Sequence, residues 1–328
     1  MRINFLLNLN LEGYIKLTQL LIMVSFEILI DDSFAGINSD NTLSPIENKR
    51  VLSLINSFED GQWRYNYFQN FIWDNIAETS LSHKERESLV NTSYTKLSSA
   101  AQNLRLTDKE DDSTKGSEIA EIILYGIMKE HYGALPVVPK IFYKQNNNDF
   151  AKGADSVHIV LEGEDDFSLW FGEAKFYNSI ETVRLGSIIN SIENSLDTKK
   201  IRKENSIITN VSDLDLLVVN EECKSKIKAA LAYKESIDTL KPKLQIPILL
   251  LHECEITNKQ TTMSNSYREE LKKYHHERAE AFFKKQLNKL GTIHLYSEIR
   301  FHIILFPVPN KSKIVDKFLN TANLLQNP

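Results

Sequence analysis

Two neighbouring stretches constrain this chain more than any other part of it. Gly153-Ala154-Asp155-Ser156-Val157-His158-Ile159 and Leu169-Trp170-Phe171-Gly172-Glu173-Ala174-Lys175-Phe176-Tyr177 are rich in β-branched and aromatic residues, and an acidic run from Glu162 to Asp166 divides them. That pattern predicts two strands joined by a turn. Side chains alternate across a strand, so Glu173 and Lys175 share one face while Ala174 takes the other. A carboxylate and an ammonium on one face of so apolar a strand are unusual. A hairpin brings a second carboxylate, Asp155, within reach of them.

With 328 residues the chain has room for one large domain or two ordinary ones. Its content, 42% hydrophobic and 25% charged, is that of a globular protein. The net charge of −5 argues against nucleic-acid binding by bulk charge, though not against a clustered basic patch. Cys223 and Cys254 stand alone with no CxxC spacing, which argues against a zinc site or a disulfide framework and fits a reducing cytoplasm. Residues 5–30 are apolar in bulk, but Asn8, Asn10, Glu12, Lys16, Gln19 and Glu27 interrupt them. A spanning helix needs about 20 mainly apolar residues, and no small-residue cleavage site follows. Neither membrane insertion nor secretion is expected, and the cytoplasm is the expected location. Met23 opens a clean strand through Ile30, so residues 1–22 read as an artefactual extension.

Beyond a polar loop at 31–45, helical periodicity predicts helices over roughly 46–58, 65–78, 82–103 and 115–132. Residues 23–110 therefore read as a mainly helical region packed on an α/β domain at 111–328. Trp63, Tyr65, Tyr67, Phe68, Phe71 and Trp73 cluster across the first two helices. Their helical spacing favours a buried core over a base-stacking platform. In the helix from Ser117, Glu118 and Glu121 lie three apart on one face. An acid in a first turn commonly serves the helix dipole, which accounts for Glu118 more readily than for Glu121 among its apolar neighbours. A strand over 136–143, the two opening strands, and an amphipathic helix over 179–196 follow. Lys199, Lys200, Arg202 and Lys203 come directly after that helix. Cations there suit a helix C-terminus, with a phosphate-contacting patch as the sharper alternative. A helix at 221–238, a strand at 245–252, a long helix near 266–290, a strand or pair at 292–308 and a short last helix complete the chain. His275 and His276 are adjacent, so they leave the long helix on different faces, and surface positions are expected for both. The interleaving predicts a mixed α/β domain, a mixed sheet flanked by helices.

Two converging carboxylates are hard oxygen ligands suited to Mg2+ or Mn2+. A divalent ion there polarises a phosphoryl oxygen and acidifies a bound water. A lysine two residues from a ligand glutamate is placed to hold that water or to offset developing charge. The order of helix Glu121 (or Glu118), strand Asp155, then Glu173-Ala174-Lys175 and a following helix resembles the PD-(D/E)XK nuclease superfamily. Ala154 stands where that motif often carries proline. The wording around Asp155 and Glu173, the helix Ser117-Glu118-Ile119-Ala120-Glu121-Ile122-Ile123-Leu124-Tyr125 and the opening Phe26-Glu27-Ile28-Leu29-Ile30-Asp31-Asp32-Ser33-Phe34 resemble, more narrowly, the HamA family, nuclease subunits of the Hachiman anti-phage system.

The resemblance implies a restriction-endonuclease-like core and a metal-dependent deoxyribonuclease. It also implies a complex with a superfamily 2 helicase, HamB, that restrains the nuclease until damaged DNA or unusual ends are sensed. It implies Asp155, Glu173 and Glu121 as metal ligands and Lys175 as the residue positioning the attacking water. His158, three residues after Asp155, falls on the opposite strand face and reads as a core or interface histidine. Tyr177 shares the face of Glu173 and Lys175 and lines the pocket or serves as a structural aromatic. The competing reading is an inactive nuclease fold that binds DNA or the helicase as an assembly module.

Overall fold

The computed structural model describes residues 25–106, 116–145, 153–163, 166–210 and 213–327. The expected start at Met23, the charged segment at 108–115 and the turn at 146–149 lie outside the described residues. The strands are β1 (Glu27–Ser33), β2 (Lys49–Ile55), β3 (Phe58–Glu59), β4 (Gln62–Trp63), β5 (Leu135–Val138), β6 (Ser156–Glu162), β7 (Asp166–Tyr177), β8 (Leu244–Glu253) and β9 (Arg300–Val308). The longer helices are α1 (Tyr65–Ser80), α2 (Ser93–Gln102), α3 (Ser117–Tyr132), α4 (Gly186–Ser195), α5 (Thr198–Asn210), α6 (Glu221–Leu231), α7 (Asn265–Leu290) and α8 (Lys311–Gln326).

Seven strands form one mixed sheet in the order β1-β2-β9-β8-β7-β6-β5, and β3 pairs with β4 in a separate hairpin. The centre, β2-β9-β8-β7, is parallel, with antiparallel pairs at both sides. Parallel strands are covered on both faces and read as continuous apolar runs. Ile246, Ile248 and Leu250 of β8 accordingly enter one core with α4, α5 and α7, while Leu249 and Leu251 enter the other with α1, α3 and α8. The result is three layers, helices on both sides of the mixed sheet.

The same two-sided burial explains the largest departure from the sequence reading. The stretch at 46–58, expected as a helix, is strand β2, paired with β1 on one side and with β9 on the other. Val51, Leu52, Leu54 and Ile55 are all buried, so the strand has no polar face and no period of two. Residues 23–110 thus contribute two strands to the sheet as well as helices. The expected helix at 82–103 divides at Leu89 into His83–Ser88, opened by a capping box between Ser82 and Glu85, and α2. The strand expected at 136–143 stops at Val138, and Lys140–Gln145 is helical. The helix at 221–238 ends at Leu231, with a separate turn over Ile237–Leu240 that Ser236 caps. Trp63, Phe68 and Phe71 are buried core, and Trp73 stacks on Phe318 with ring centroids 5.1 Å apart. Among the described residues no helix is long and apolar enough to cross a membrane.

Where α3 begins, the backbone requires glycine. Gly116, with φ +85°, starts α3, and a Cβ there would lie 3.0 Å from Phe176 and 3.1 Å from Val315. Close approach at this point seats α3 against β7 and α8.

His275 is not on the surface. It belongs to the buried stripe of α7 with Leu271, Ala279, Phe282, Gln286 and Leu290, and its Nδ1 lies 2.6 Å from Ser53 Oγ. Burial lowers the pKa of four histidines: His158 and His302 to about 3, His252 to about 4 and His275 well below its ordinary value. In the unfolded chain each takes a proton near pH 6.5. The stability these neutral rings confer is therefore complete above that pH and lost as pH falls toward their folded values. Each histidine costs on the order of 1 kcal/mol per pH unit once below about pH 6. Thermal melting should shift downward steeply between about pH 7 and about pH 5, and replacing His275 with Asn should flatten that slope.

Candidate active site

The β6–β7 ladder runs from Glu162↔Asp166 to Ser156↔Gly172. Asp155 stands one residue before β6, where the ladder stops. Its Oδ2 accepts the Ala174 N–H at 3.1 Å and lies 3.6 Å from Lys175 Nζ. Glu173 and Lys175 follow Leu169 and Phe171 along the face of β7 that meets the core beneath α4 and α7, as strand alternation requires. Glu173 is buried and the Lys175 side chain is 30% exposed, so the site lies at the boundary of the core. Glu121, also buried, comes from the second turn of α3.

The four groups meet electrostatically at Lys175. Burial disfavours its charged form, but the negative charges of Asp155, Glu173 and Glu121 oppose burial and hold its pKa above the ordinary lysine value. It is a cation throughout the neutral range.

The lesser candidates separate clearly. Both Glu118 oxygens accept backbone N–H groups, from Arg105 at 2.9 Å and Leu106 at 3.4 Å, which ties the preceding segment to α3. Glu121 acts on Lys175. His158 pairs with Trp170 on the opposite face of the hairpin, where its fully buried ring lies 4.4 Å from that of Tyr125. Among the described residues neither ring nitrogen has a hydrogen-bond partner. Tyr177 sits on the site's face and shares a 2.7 Å hydrogen bond with Ser187. Burial raises its pKa, and the negative charge of Glu173 adds to that rise.

The basic run does not end a helix. Asp197 Oδ1 accepts the N–H groups of Lys199 and Lys200, at 2.9 and 3.3 Å, and so starts a new helix, α5. Lys199, Lys200, Arg202 and Lys203 occupy its first two turns, the end where the dipole disfavours cations. Arg202 donates to the Tyr233 carbonyl at 2.6 Å.

The next residue on α5, Glu204, was missed by sequence reasoning. It is buried, and its two carboxylate oxygens accept from the buried Lys140 ammonium at 2.8 and 2.7 Å. Its Oε1 also accepts the Ala154 N–H at 3.2 Å. A Cβ on Gly153 would fall 1.8 Å from the same oxygen, so a side chain there would displace the Glu204 carboxylate from the ion pair. The buried ion pair thus fixes the two residues that lead into Asp155. One signal was available: Glu204 sits on the stripe of Ile201, Ile207 and Ile208, where helical periodicity calls for an apolar residue.

Asp155, Glu173 and Glu121 offer hard oxygen donors, the chemistry that magnesium or manganese takes. Among the described residues no group of three or more His, Cys, Asp or Glu side chains is placed to hold a metal ion. Magnesium commonly uses only one or two carboxylates and completes its shell with water and phosphate oxygens. Asp155 and Glu173 fit that requirement.

These features define a mixed α/β protein with a carboxylate–lysine centre at the edge of its sheet. The HamA family model matches residues 32–322, and the chain belongs to that family. Membership supports a role in Hachiman anti-phage defence. No curated protein matches the chain.

Removing one partner of a buried ion pair typically costs about 3–5 kcal/mol. Urea unfolding of Lys140→Met should show a loss of that size. The double variant Lys140→Met with Glu204→Gln keeps the acceptor for Ala154 and should recover most of it. Equal losses in the single and double variants would count against the pair as the anchor.

Proposed function

We propose that this chain is a divalent-metal-dependent deoxyribonuclease of the PD-(D/E)XK type, the effector of a Hachiman defence complex with a helicase partner, HamB. The observation that carries this reading is the approach of Lys175 to Asp155 at 3.6 Å, within the field of Glu173 and Glu121. Asp155 and Lys175 meet where two strands leave the core, with Glu173 and Glu121 acting on that lysine, in the chain order that the superfamily motif has.

Asp155 and Glu173, with Glu121 in support, would hold the metal, which when bound supplies Lewis acidity toward a phosphoryl oxygen. The Asp155 carboxylate is held on one side by the Ala174 N–H, which fixes the aim of its remaining lone pairs. Glu173 is fixed by the ladder between β7 and β8. Lys175 remains protonated, so it donates hydrogen bonds and does not abstract a proton. Its role is to orient the attacking water and offset negative charge as the phosphodiester is attacked. Burial of Glu173 keeps this charge distribution in a medium of reduced dielectric, where each interaction is stronger than in water.

One observation favours a second reading: the lack, among the described residues, of a three-ligand metal group. On that reading the fold is an assembly module that binds DNA or the helicase. Calorimetric titration with magnesium and manganese separates the two. A saturable heat lost in Glu173→Ala supports the nuclease. No metal binding by a chain that still copurifies with HamB supports the module.

Lys175→Ala and Glu173→Ala should each lower magnesium-dependent DNA cleavage at least about 100-fold. Lys175→Ala should melt within a few degrees of the wild type. Cleavage at the wild-type rate by either variant would remove the catalytic assignment.

A further inference from the structure

A cavity of about 520 Å³ opens at the edge of the molecule between the β3–β4 hairpin, the start of α1 and the start of α8. Its lining combines Trp63, Tyr65 and Tyr67 with Arg64, Lys313 and Lys317. Each tyrosine ring has a cation over it: Lys313 Nζ lies 3.9 Å from the Tyr65 centroid, and the Arg64 guanidinium 4.5 Å from that of Tyr67. Lys313 and Lys317 are exposed, one turn apart on α8, and Lys317 donates to Asn66 at the rim. Two hairpin carboxylates, Glu59 and Asp60, also line the cavity, and Glu59 is engaged by Arg64 at 3.6 Å. The three cations therefore exceed the acids, in a chain whose net charge is −5.

The position of this cavity relates it to the candidate active site. Tyr177 is in register with His252, and Glu253 with Val308, so the ends of β7, β8 and β9 share one edge of the sheet. Two strand spacings, about 10 Å, separate β7 from β9 there. Glu253 accepts the Lys311 N–H at 2.8 Å where α8 begins, and its charge reaches Tyr65. Lys311 Nζ lies 5.4 Å from the ring of Phe176, the residue next to Lys175. Phe176 and Lys311 are both buried, and Phe176 faces the opposite side of β7 from Lys175, so the cavity and the candidate centre lie at the same strand ends but on opposite faces of the sheet.

We propose that this cavity is a second DNA-binding site, which holds an unpaired nucleotide of a single strand. Interleaved aromatic rings and cations are what single-stranded nucleic acid requires: ring or guanidinium planes for the bases and ammonium groups for the phosphates. The volume lies within the range of small-ligand pockets, and a paired base inside a duplex exposes no face to fill it. The inference rests on the nuclease reading for the identity of its ligand, and its test is independent of cleavage.

The test is fluorescence anisotropy of a labelled single-stranded oligonucleotide with the full-length chain, in EDTA, where metal-dependent cleavage is absent. Lys313→Glu/Lys317→Glu should raise the dissociation constant at least about tenfold and lower the salt slope by about 1.4, as expected for two lost phosphate contacts. Because both lysines are exposed, the milder Lys313→Gln/Lys317→Gln guards against a folding defect and should weaken binding in the same direction. Tyr65→Ala should weaken binding without changing the salt slope. Affinity within twofold of the wild type in both lysine pairs overturns the site, as does a wild-type chain with no saturable affinity for the oligonucleotide. A chain that binds in this way but does not cut with magnesium upholds the site and counts against the nuclease reading alone. A chain that cuts, with unaltered affinity in both pairs, does the reverse.

Discussion

A sheet whose central strands are covered by helices on both faces has no place for charge along most of its length. Leu244, Ile246, Ile248, Leu249, Leu250 and Leu251 of β8 are fully buried, as are Ile303, Ile304, Leu305 and Phe306 of β9. Desolvation excludes an ionised group from these positions unless it finds a partner. Polar chemistry is therefore confined to the ends of the strands, where the helical layers part. Glu173 and Lys175 lie toward the end of β7, Asp155 just outside β6, and Glu121 near the start of α3. The same constraint places Glu253 and the first turn of α8 at the neighbouring strand ends.

The strand pair that carries the site was legible in the sequence because it broke a pattern. Two charged residues at alternate positions of an apolar run have few explanations other than a site, and alternation alone put them on one face. The long helix at 265–290 and the strand at 244–253 were legible from unbroken periodicity and unbroken apolar content. What two-sided burial erases is the difference between a strand and a helix: Val51-Leu52-Ser53-Leu54-Ile55 has no period to read, so the run that forms β2 reads equally as helix. His275 was misplaced for a related reason. Adjacency to His276 drew attention, whereas its spacing from Leu271 and Ala279 puts it on the buried stripe. The start of α5 depends on Asp197, a capping residue that the basic run behind it obscured.

Electrostatics, more than proximity, distinguishes the members of the site from bystanders. Glu118 and Glu121 occupy one helix three residues apart, yet the first is taken up by the backbone N–H groups of Arg105 and Leu106 and the second acts on Lys175. His158 is three residues from Asp155 but across the sheet, where its ring is part of the apolar packing of Tyr125. Lys140 and Glu204 are the converse case: distant in sequence and silent in any motif, they form a buried ion pair that sets the approach to Asp155.

Glu173 and Lys175 ride on a strand bonded to β8, so their separation is set by the rise of the strand, roughly 7 Å over two residues. No change elsewhere in the protein alters it without breaking the sheet. Asp155 is different, because it lies beyond the last pair of the ladder and depends on Ala154 and Gly153, which a helix from the far side of the next crossover holds in place. The geometry of the centre has one fixed jaw and one adjustable jaw, and the adjusting screw is Glu204. Substitutions along the buried stripe of α5 move Asp155 against Glu173 and Lys175 while leaving all three residues unchanged.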